Sequence, residues 1–204
     1  MKIIDLSHKL FNGAPSYPSD PKILVKKEKE IIPDRTMLHR IKMGTHSGTH
    51  LDVPAHVLEN GKTLNEFPLK AFMGTAIKVN NKNYRRIEDI KGKIDAIILD
   101  TGWYSTFNNP EVFFGNNRPA IPKDLIHLIL EYEIKIFGCD LPSVDESGSK
   151  EKAIHNALLG NDVIIYEALN NLEGLPMMIP FEFYGFPLSL DGLDGSPIRA
   201  VGVL

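Results

Sequence analysis

Apolar and polar residues alternate in short runs along most of this chain, a pattern typical of β-strands rather than of long helices. Residues 96–99 are all apolar and have an Asp on either side, as a short buried strand would. A turn at Pro33-Asp34 joins two of the predicted strands into a pair. Strands are predicted at residues 2–6, 23–30, 37–43, 75–80, 95–100, 134–137, 163–166 and 197–204.

Helical spacing of apolar residues occurs in two places, both in the second half of the chain. The first predicted helix opens at Pro122 and runs to residue 132, and the second runs from 149 to 159 and stops at Gly160. Strands therefore outnumber helices. The pattern predicts an α+β (mixed α and β) fold, a single domain over residues 1–204, with a barrel-like sheet and helices packed to one side.

Composition narrows the classes of partner. The 204 residues are 43% hydrophobic with a net charge of −3, so no basic face for nucleic acid is expected. Apolar runs fall short of the ~20 residues that a membrane span needs. The only cysteine, Cys139, excludes an internal disulfide, and an acid at position 5 argues against a signal peptide. We therefore expect a cytoplasmic protein that binds neither nucleic acid nor a membrane.

One segment concentrates groups that can carry chemistry. Residues 46–56 contain three of the seven histidines together with Asp52. His46, His50 and Asp52 lie at even positions, so on an extended segment all three would point to one side and Leu51 to the other. A helix would also bring His46 and His50 together, but Gly44, Gly48 and two threonines disfavour it. A strand or strand-like loop is the better interpretation, with Pro54 opening a short helix that ends near residues 60–61.

Two imidazoles and a carboxylate are a typical ligand set for catalytic zinc, with the fourth position left for water or substrate. Manganese or ferrous iron would accept the same ligands, so the set does not choose the metal. The alternative is that these histidines only hydrogen-bond nearby backbone groups. Clustering of the three residues favours the metal site.

The segment from His46 to His56 resembles the H-x-G-T-H-x-D-x-P-x-H signature of the cyclase family, which includes bacterial kynurenine formamidases and isatin hydrolase-like enzymes. Every specified position matches. Further blocks that resemble the family lie at residues 4–8 with 15–20, at 138–145 and at 194–199. The resemblance covers nearly the whole chain and implies a swivelling β/β/α fold.

The resemblance also implies a set of ligands for one or two zinc ions, with manganese possible. His46, His50 and Asp52 would hold the first metal. His155 and Glu167 would hold the second, and Asp52 and Glu167 would bridge the two. Taken alone, His155 on an apolar helix face would suggest a satisfied core residue, so its role rests on the resemblance.

Two more residues take roles from the same comparison. The family places an acid or base at the position of His56, and the alternative is a residue that only supports the ligand strand. At the position of Tyr17, formamidases have a segment that resembles Trp-Pro-Gly-Asp, and its Trp contacts the substrate. Because this chain has Tyr there instead, N-formylkynurenine itself is in question as the substrate. Relatives are often dimers or larger, so a homodimer or tetramer is expected.

The function implied is hydrolysis of an amide bond in a small aryl substrate, such as an arylformamide of tryptophan catabolism or a cyclic amide. One alternative is a non-hydrolytic lyase or dehydratase that uses the same ligands. The other is a metal- or small-molecule-binding relative without catalysis, which would be expected to lack His56 or a ligand.

Overall fold

The computed structural model describes residues 1–204 and is organised around one nine-stranded sheet. The sheet has the order β1-β11-β9-β5-β6-β7-β8-β4-β10. Its strands are β1 (Ile3–Asp5), β4 (His50–Asp52), β5 (Met73–Val79), β6 (Ala96–Leu99), β7 (Ile136–Cys139), β8 (Ile164–Glu167), β9 (Phe181–Tyr184), β10 (Gly195–Pro197) and β11 (Val201–Val203).

The sheet is parallel in its centre and antiparallel at both ends. Strands β5 to β8 form the parallel part, and the remaining pairings are antiparallel. A bridge between Ser7 and Leu169 links the chain after β1 to the chain after β8, and so draws distant strands together. The sheet is therefore curled into a half-barrel with few helices, which confirms the predicted fold class.

Alternating side chains of the central strands divide the core into two clusters. In β6, Ala96 and Ile98 belong to the cluster on the side enclosed by the curl, whereas Ile97 and Leu99 pack toward the helices. All four residues are fully buried. Burial of such an aliphatic side chain contributes about 1.5–3 kcal/mol, so both faces of the sheet stabilise the fold.

Helices cover one face of the sheet. Helix α3 (Lys123–Glu131) and helix α4 (Ala153–Leu159) contribute Leu125, Ile129 and Leu158 to the helix-side cluster. Two single-turn helices, α1 (Ile31–Asp34) and α2 (Pro110–Phe113), lie in connections. No helix in the chain has both the length and the apolar character that crossing a membrane requires.

A separate hairpin stands apart from the main sheet. Strands β2 (Leu24–Lys29) and β3 (Leu38–Lys42) pair only with each other. The predicted strand pair and its turn are confirmed, and the turn at Pro33 takes the form of α1. We call residues 24–42 the arm.

Two helix predictions need correction at their ends. Helix α4 begins at Ala153 and not at Ser149, because Lys152 adopts a left-handed conformation (φ 48°) that a helix cannot include. The segment opened by Pro54 forms only a 3₁₀ turn, Pro54–His56, and does not continue to residue 60.

The prediction of a single C-terminal strand over residues 197–204 is also wrong. The structure has two strands there, β10 and β11, which pair with different partners at opposite ends of the sheet. The residues between them cross from one end to the other. Strand β9 lies in an aromatic-rich stretch of the sequence, and its Phe181 and Phe183 are buried in the core.

Candidate metal centre

The centre is built on the antiparallel pair β4 and β8. Their register places His50 opposite Glu167 and Asp52 opposite Ile165. His50, Asp52 and Glu167 therefore share the face of the sheet that carries α4, while Leu51 points into the enclosed core. All three polar side chains are buried.

His46 reaches this group by a different route from the one that strand parity predicts. Only residues 50–52 are extended, and His46 lies in the preceding loop, which turns at Gly48 with φ 61°. A Cβ at Gly48 would lie 2.4 Å from Leu10 Cδ2, so glycine allows this close approach. The His46 Nδ1 atom is 2.6 Å from Asp52 Oδ1. The prediction that even positions point to one side is therefore right for His50 and Asp52, but it does not apply to His46, which lies outside the strand.

Helix α4 supplies a histidine from the opposite side. His155 Nε2 lies 3.4 Å from Glu167 Oε1 and 3.6 Å from Asp52 Oδ2. Glu167 Oε2 in turn lies 3.4 Å from His50 Nε2. The five residues proposed as ligands from the sequence, His46, His50, Asp52, His155 and Glu167, are therefore brought together.

His56 lies at the edge of this group and is less buried. Its ring centroid is 4.0 Å from that of His46, and its Nδ1 atom is 3.4 Å from Asp194 Oδ2. The side chain keeps 24% of its surface exposed. A small molecule can therefore reach His56 from the cavity beside these residues, whose walls are described below.

Two carboxylates in the centre were missed by the sequence reasoning. Asp194, just before β10, accepts from His46 Nε2 at 2.8 Å. Asp145 is 2.6 Å from His155 Nδ1 and also accepts from the backbone N–H of Ile154 at 2.9 Å. Both residues stand in blocks that resemble the cyclase family, which was the one signal available. Neither has a histidine nearby in sequence, so local spacing gave no indication.

The hydrogen bonds fix how two imidazoles face the group. His50 Nδ1 is 2.8 Å from the Gly48 carbonyl, and His155 Nδ1 contacts Asp145. With Nδ1 of each ring held in this way, Nε2 is the atom that faces the carboxylates of Asp52 and Glu167. Metal-ligating histidines are held in this way by outer carboxylates and carbonyls.

Charges in the centre are strongly coupled. Burial opposes ionisation of Asp52 and Glu167, but neighbouring histidines hold the pKa of Asp52 well below its usual range and lower the pKa of Glu167 to about 2. Burial would lower the pKa of His46, yet Asp52 and Asp194 raise it to about 10. The pKa of His155 is raised against burial to about 11, first by Asp145. Protons on these imidazoles balance the buried carboxylates where a metal cation would otherwise do so.

The residues present fit a divalent metal. Asp52 Oδ2 is buried and has no hydrogen-bond partner, which is costly for a carboxylate oxygen without a cation. Potential ligand atoms fall into two compact groups that share Asp52. One contains His46, Asp52 and His56, and the other contains His50, Asp52 and Glu167. Imidazole and carboxylate donors suit zinc, manganese or iron.

A cavity of about 190 Å³ opens onto the centre. Its walls include His46, His50, His56, His155 and Glu167, together with an aromatic side. A cavity of about 150 Å³ can hold benzene, so this one accepts a ligand of roughly one substituted ring. The aromatic side is formed by Tyr17, Phe107, Phe113 and Phe114.

Residues 4–146 match the model of a protein family described as "Putative cyclase". The chain belongs to the cyclase family. A kynurenine formamidase of Salinibacter ruber is 29% identical over 98% of this cyclase-family chain and 97% of its own length. An uncharacterised protein of Methanocaldococcus jannaschii is 32% identical, with both chains covered completely.

Solved structures show the same fold. An isatin hydrolase bound to the product analogue thioisatinate matches with a TM-score of 0.86 at 20% identity, over 100% of this chain and 92% of that chain. A potential metal-dependent hydrolase with cyclase activity matches with a TM-score of 0.78 at 22% identity, over 98% and 96%. The predicted family and fold are thus confirmed for this cyclase-family protein.

Without metal, the stability of the protein is expected to peak between about pH 4.5 and 6.5. The raised pKa values of His46 and His155 stabilise the fold fully below pH 6.5, and this contribution is lost as pH rises through about 10 and 11. The lowered pKa of Glu167 stabilises it above pH 4.5, and this is lost as pH falls through about 2. Zinc should move the maximum upward, since it competes with protons for the same atoms.

Urea unfolding of chelated and zinc-loaded protein from pH 4 to 9 measures this shift. A zinc-free stability that increases steadily from pH 5 to 9 would contradict the charge arrangement.

Asp145→Asn is expected to weaken zinc binding about 10–100-fold, the usual effect of losing an outer carboxylate that orients a ligand histidine. The substitution keeps the shape of the side chain but removes the charge beside His155 Nδ1. Competition titration with a chromophoric chelator measures the affinity. Asp191→Asn, on an exposed loop, is the matched control and should bind zinc as the unmodified protein does. Equal affinities for both variants would show that Asp145 does not orient His155.

Proposed function

We propose that this protein is a metal-dependent hydrolase that cleaves the amide carbon–nitrogen bond of a small aryl substrate. The observation that carries the proposal is the buried group of imidazoles and carboxylates beside an aromatic cavity. Kynurenine formamidase and isatin hydrolase relatives, which act on non-peptide carbon–nitrogen bonds, support the same reaction class.

The proposed ligands divide into two sets around a shared carboxylate. His46, His50 and Asp52 would hold one ion, and His155 and Glu167 would hold a second, with Asp52 and Glu167 available to both. The proximity of Asp52 to both His46 and His155 supports a role for it in both sites. Zinc is the expected metal, in one or both sites, and manganese suits the same donors. When bound, such a metal lowers the pKa of a water ligand and polarises the substrate carbonyl.

His56 is proposed to move the proton. Asp194 lies near its Nδ1 atom, which leaves Nε2 to accept a proton from the attacking water. The water oxygen forms the new bond to the carbonyl carbon, the carbon–nitrogen bond breaks, and His56 returns the proton to the departing nitrogen. The partial exposure of His56 toward the cavity supports this role.

The aromatic side of the cavity is proposed to hold the aryl ring of the substrate. Tyr17 packs edge-to-face on Phe114 with ring centroids 5.6 Å apart, and Phe113 packs on Phe114 at 5.0 Å. Such pairs leave ring faces and edges for a substrate ring to contact. N-formylkynurenine and isatin are the substrates to test first.

Metal content and turnover on one sample test the proposal. Protein prepared without chelator is expected to contain one to two zinc or manganese ions per chain and to hydrolyse N-formylkynurenine or isatin, with a product heavier by one water. Turnover lost on chelation and restored by metal would support the assignment. Absence of metal binding even after reloading with zinc and manganese would contradict it.

His56→Ala is expected to retain metal but to lower kcat by about 10²–10⁴-fold, the usual contribution of acid–base catalysis. Metal content by atomic emission and steady-state kinetics on the same preparation separate the two effects. His127→Ala, on the exposed side of α3, is the matched control and should keep full activity. A near-normal kcat in His56→Ala would assign His56 to support of the ligand strand instead.

Tyr17→Trp is expected to raise kcat/KM for N-formylkynurenine relative to isatin by about threefold to tenfold, since a larger aromatic contact contributes about 0.5–1.5 kcal/mol. Tyr17→Phe, which removes only the hydroxyl group, separates ring size from polarity. An unchanged ratio in Tyr17→Trp would remove Tyr17 from the substrate site.

Two other functions remain distinguishable by experiment. A lyase or dehydratase using the same ligands would give no product that gains a water. A non-catalytic relative would bind metal and ligand without turnover, although His56 and all the proposed ligands are present.

We further propose that the protein forms a homo-oligomer, a dimer or a tetramer, as the family resemblance led us to expect.

A further inference from the structure

The cavity beside the proposed ligands has one lysine in its wall. Lys152 is the only Lys or Arg among the residues that line this cavity, and it is half-buried. Lysine side chains usually lie on the surface. In this chain every lysine is exposed except Lys152 and the buried Lys78. The position of Lys152 is therefore unusual and calls for a partner for its charge.

The two lysines differ in what they contact. The Lys78 ammonium group donates to the carbonyl of Leu172 at 2.7 Å and lies 3.3 Å from Asp100 Oδ2. The ammonium group of Lys152 forms no hydrogen bond and no ion pair within the chain, and Asp20 on the same cavity wall accepts from Ser19 instead. Taking a charge out of water is costly unless it is paired. An anion bound in the cavity would supply the missing partner of Lys152.

The backbone holds Lys152 at this place in a conformation that lysine rarely adopts. Its φ of 48° and ψ of 43° lie in the left-handed region, which favours Gly or Asn. The backbone N–H groups of Ile154 and His155 donate to the Asp145 carboxylate at 2.9 and 3.3 Å. The same carboxylate contacts the His155 ring. Lys152 is thus fixed relative to the proposed metal ligand His155, and strain of this kind occurs at functional sites.

We propose that Lys152 binds a carboxylate carried by the substrate ring, so that the protein prefers anionic aryl amides to neutral ones. This inference rests on the proposed hydrolase function and names the substrate class for the same cavity. The cavity of about 190 Å³ holds roughly one substituted ring, so a charged substituent on that ring meets the cavity wall. Lys152 determines specificity through this contact, and proton transfer stays with His56.

Kinetics on formanilide and its three ring carboxylates, 2-, 3- and 4-formamidobenzoate, test the preference on zinc-loaded, full-length protein. The unmodified protein should hydrolyse at least one formamidobenzoate with a kcat/KM about tenfold or more above that of formanilide, the usual contribution of a hydrogen bond between charged groups. Lys152→Met should bring this ratio close to one. Lys152→Arg, which keeps the charge, should retain most of the preference.

Lys150→Met is the matched control. Lys150 is exposed and does not line the cavity, so its loss removes the same net charge two residues away. The ratio of the two kcat/KM values should remain that of the unmodified protein. This control separates direct contact with the carboxylate from the long-range effect of one positive charge.

Lys152→Asn separates recognition from folding. Asparagine tolerates the left-handed conformation better than lysine does. Urea unfolding should therefore show a stability at least equal to that of the unmodified protein, while the preference for the carboxylate is lost. A structural role for Lys152 would lower stability and turnover of both substrate classes together.

Binding of the aminobenzoate products, measured by ligand-observed NMR with and without zinc, does not depend on turnover. Lys152→Met should weaken this binding about tenfold relative to Lys150→Met. Reversal of the charge in Lys152→Glu should instead favour the cationic ligand 3-(aminomethyl)aniline over 3-aminobenzoate.

Equal preferences and equal affinities in Lys152→Met and Lys150→Met would overturn the inference, as would a preference of the unmodified protein for formanilide. Hydrolysis of formanilide in that case would leave the hydrolase proposal in place. Conversely, aminobenzoate binding that depends on Lys152, without turnover of any amide, would support the anion site and contradict the hydrolase proposal alone.

Discussion

The burial of the Asp52 carboxylate is the constraint from which the rest of the centre follows. This residue is buried, and one of its carboxylate oxygens has no hydrogen-bond partner. A buried carboxylate is costly unless it is paired, hydrogen-bonded or bound to a metal. His46 and His155 approach it from a loop and from a helix, and both are held in place by further carboxylates. Protons on these imidazoles and a divalent cation are alternative ways to balance the same buried charge.

The sheet gives this site its rigidity. Strand β4 lies between β8 and β10 in the sheet. It therefore pairs on one side with the strand that carries Glu167 and on the other with the strand that directly follows Asp194. Leu51, between the proposed ligands His50 and Asp52, packs into the enclosed core. Displacement of His50 and Asp52 would therefore disturb the interior of the half-barrel. The cavity beside the proposed ligands lies on the opposite face, where His155 of α4 forms part of its wall.

Part of this organisation could be read from sequence. Alternation of side chains in β4 correctly placed His50 and Asp52 on one face and Leu51 on the other, because strand geometry is local. The family resemblance pointed to His155 and Glu167, which no local pattern relates. Asp145 and Asp194 were missed as members of the centre because their contacts depend on how distant loops meet. The break between β10 and β11 was missed for a similar reason, since the pairing of each strand is set by the closure of the sheet.

The most direct test of the account is the position of the metal. Anomalous diffraction from crystals of zinc-loaded protein should show a peak about 2.0–2.2 Å from His50 Nε2 and from a carboxylate oxygen of Asp52. A second peak beside His155 and Glu167 would show that both sites fill. Zinc bound elsewhere, with Asp52 Oδ2 still without a partner, would contradict the metal centre described for this fold.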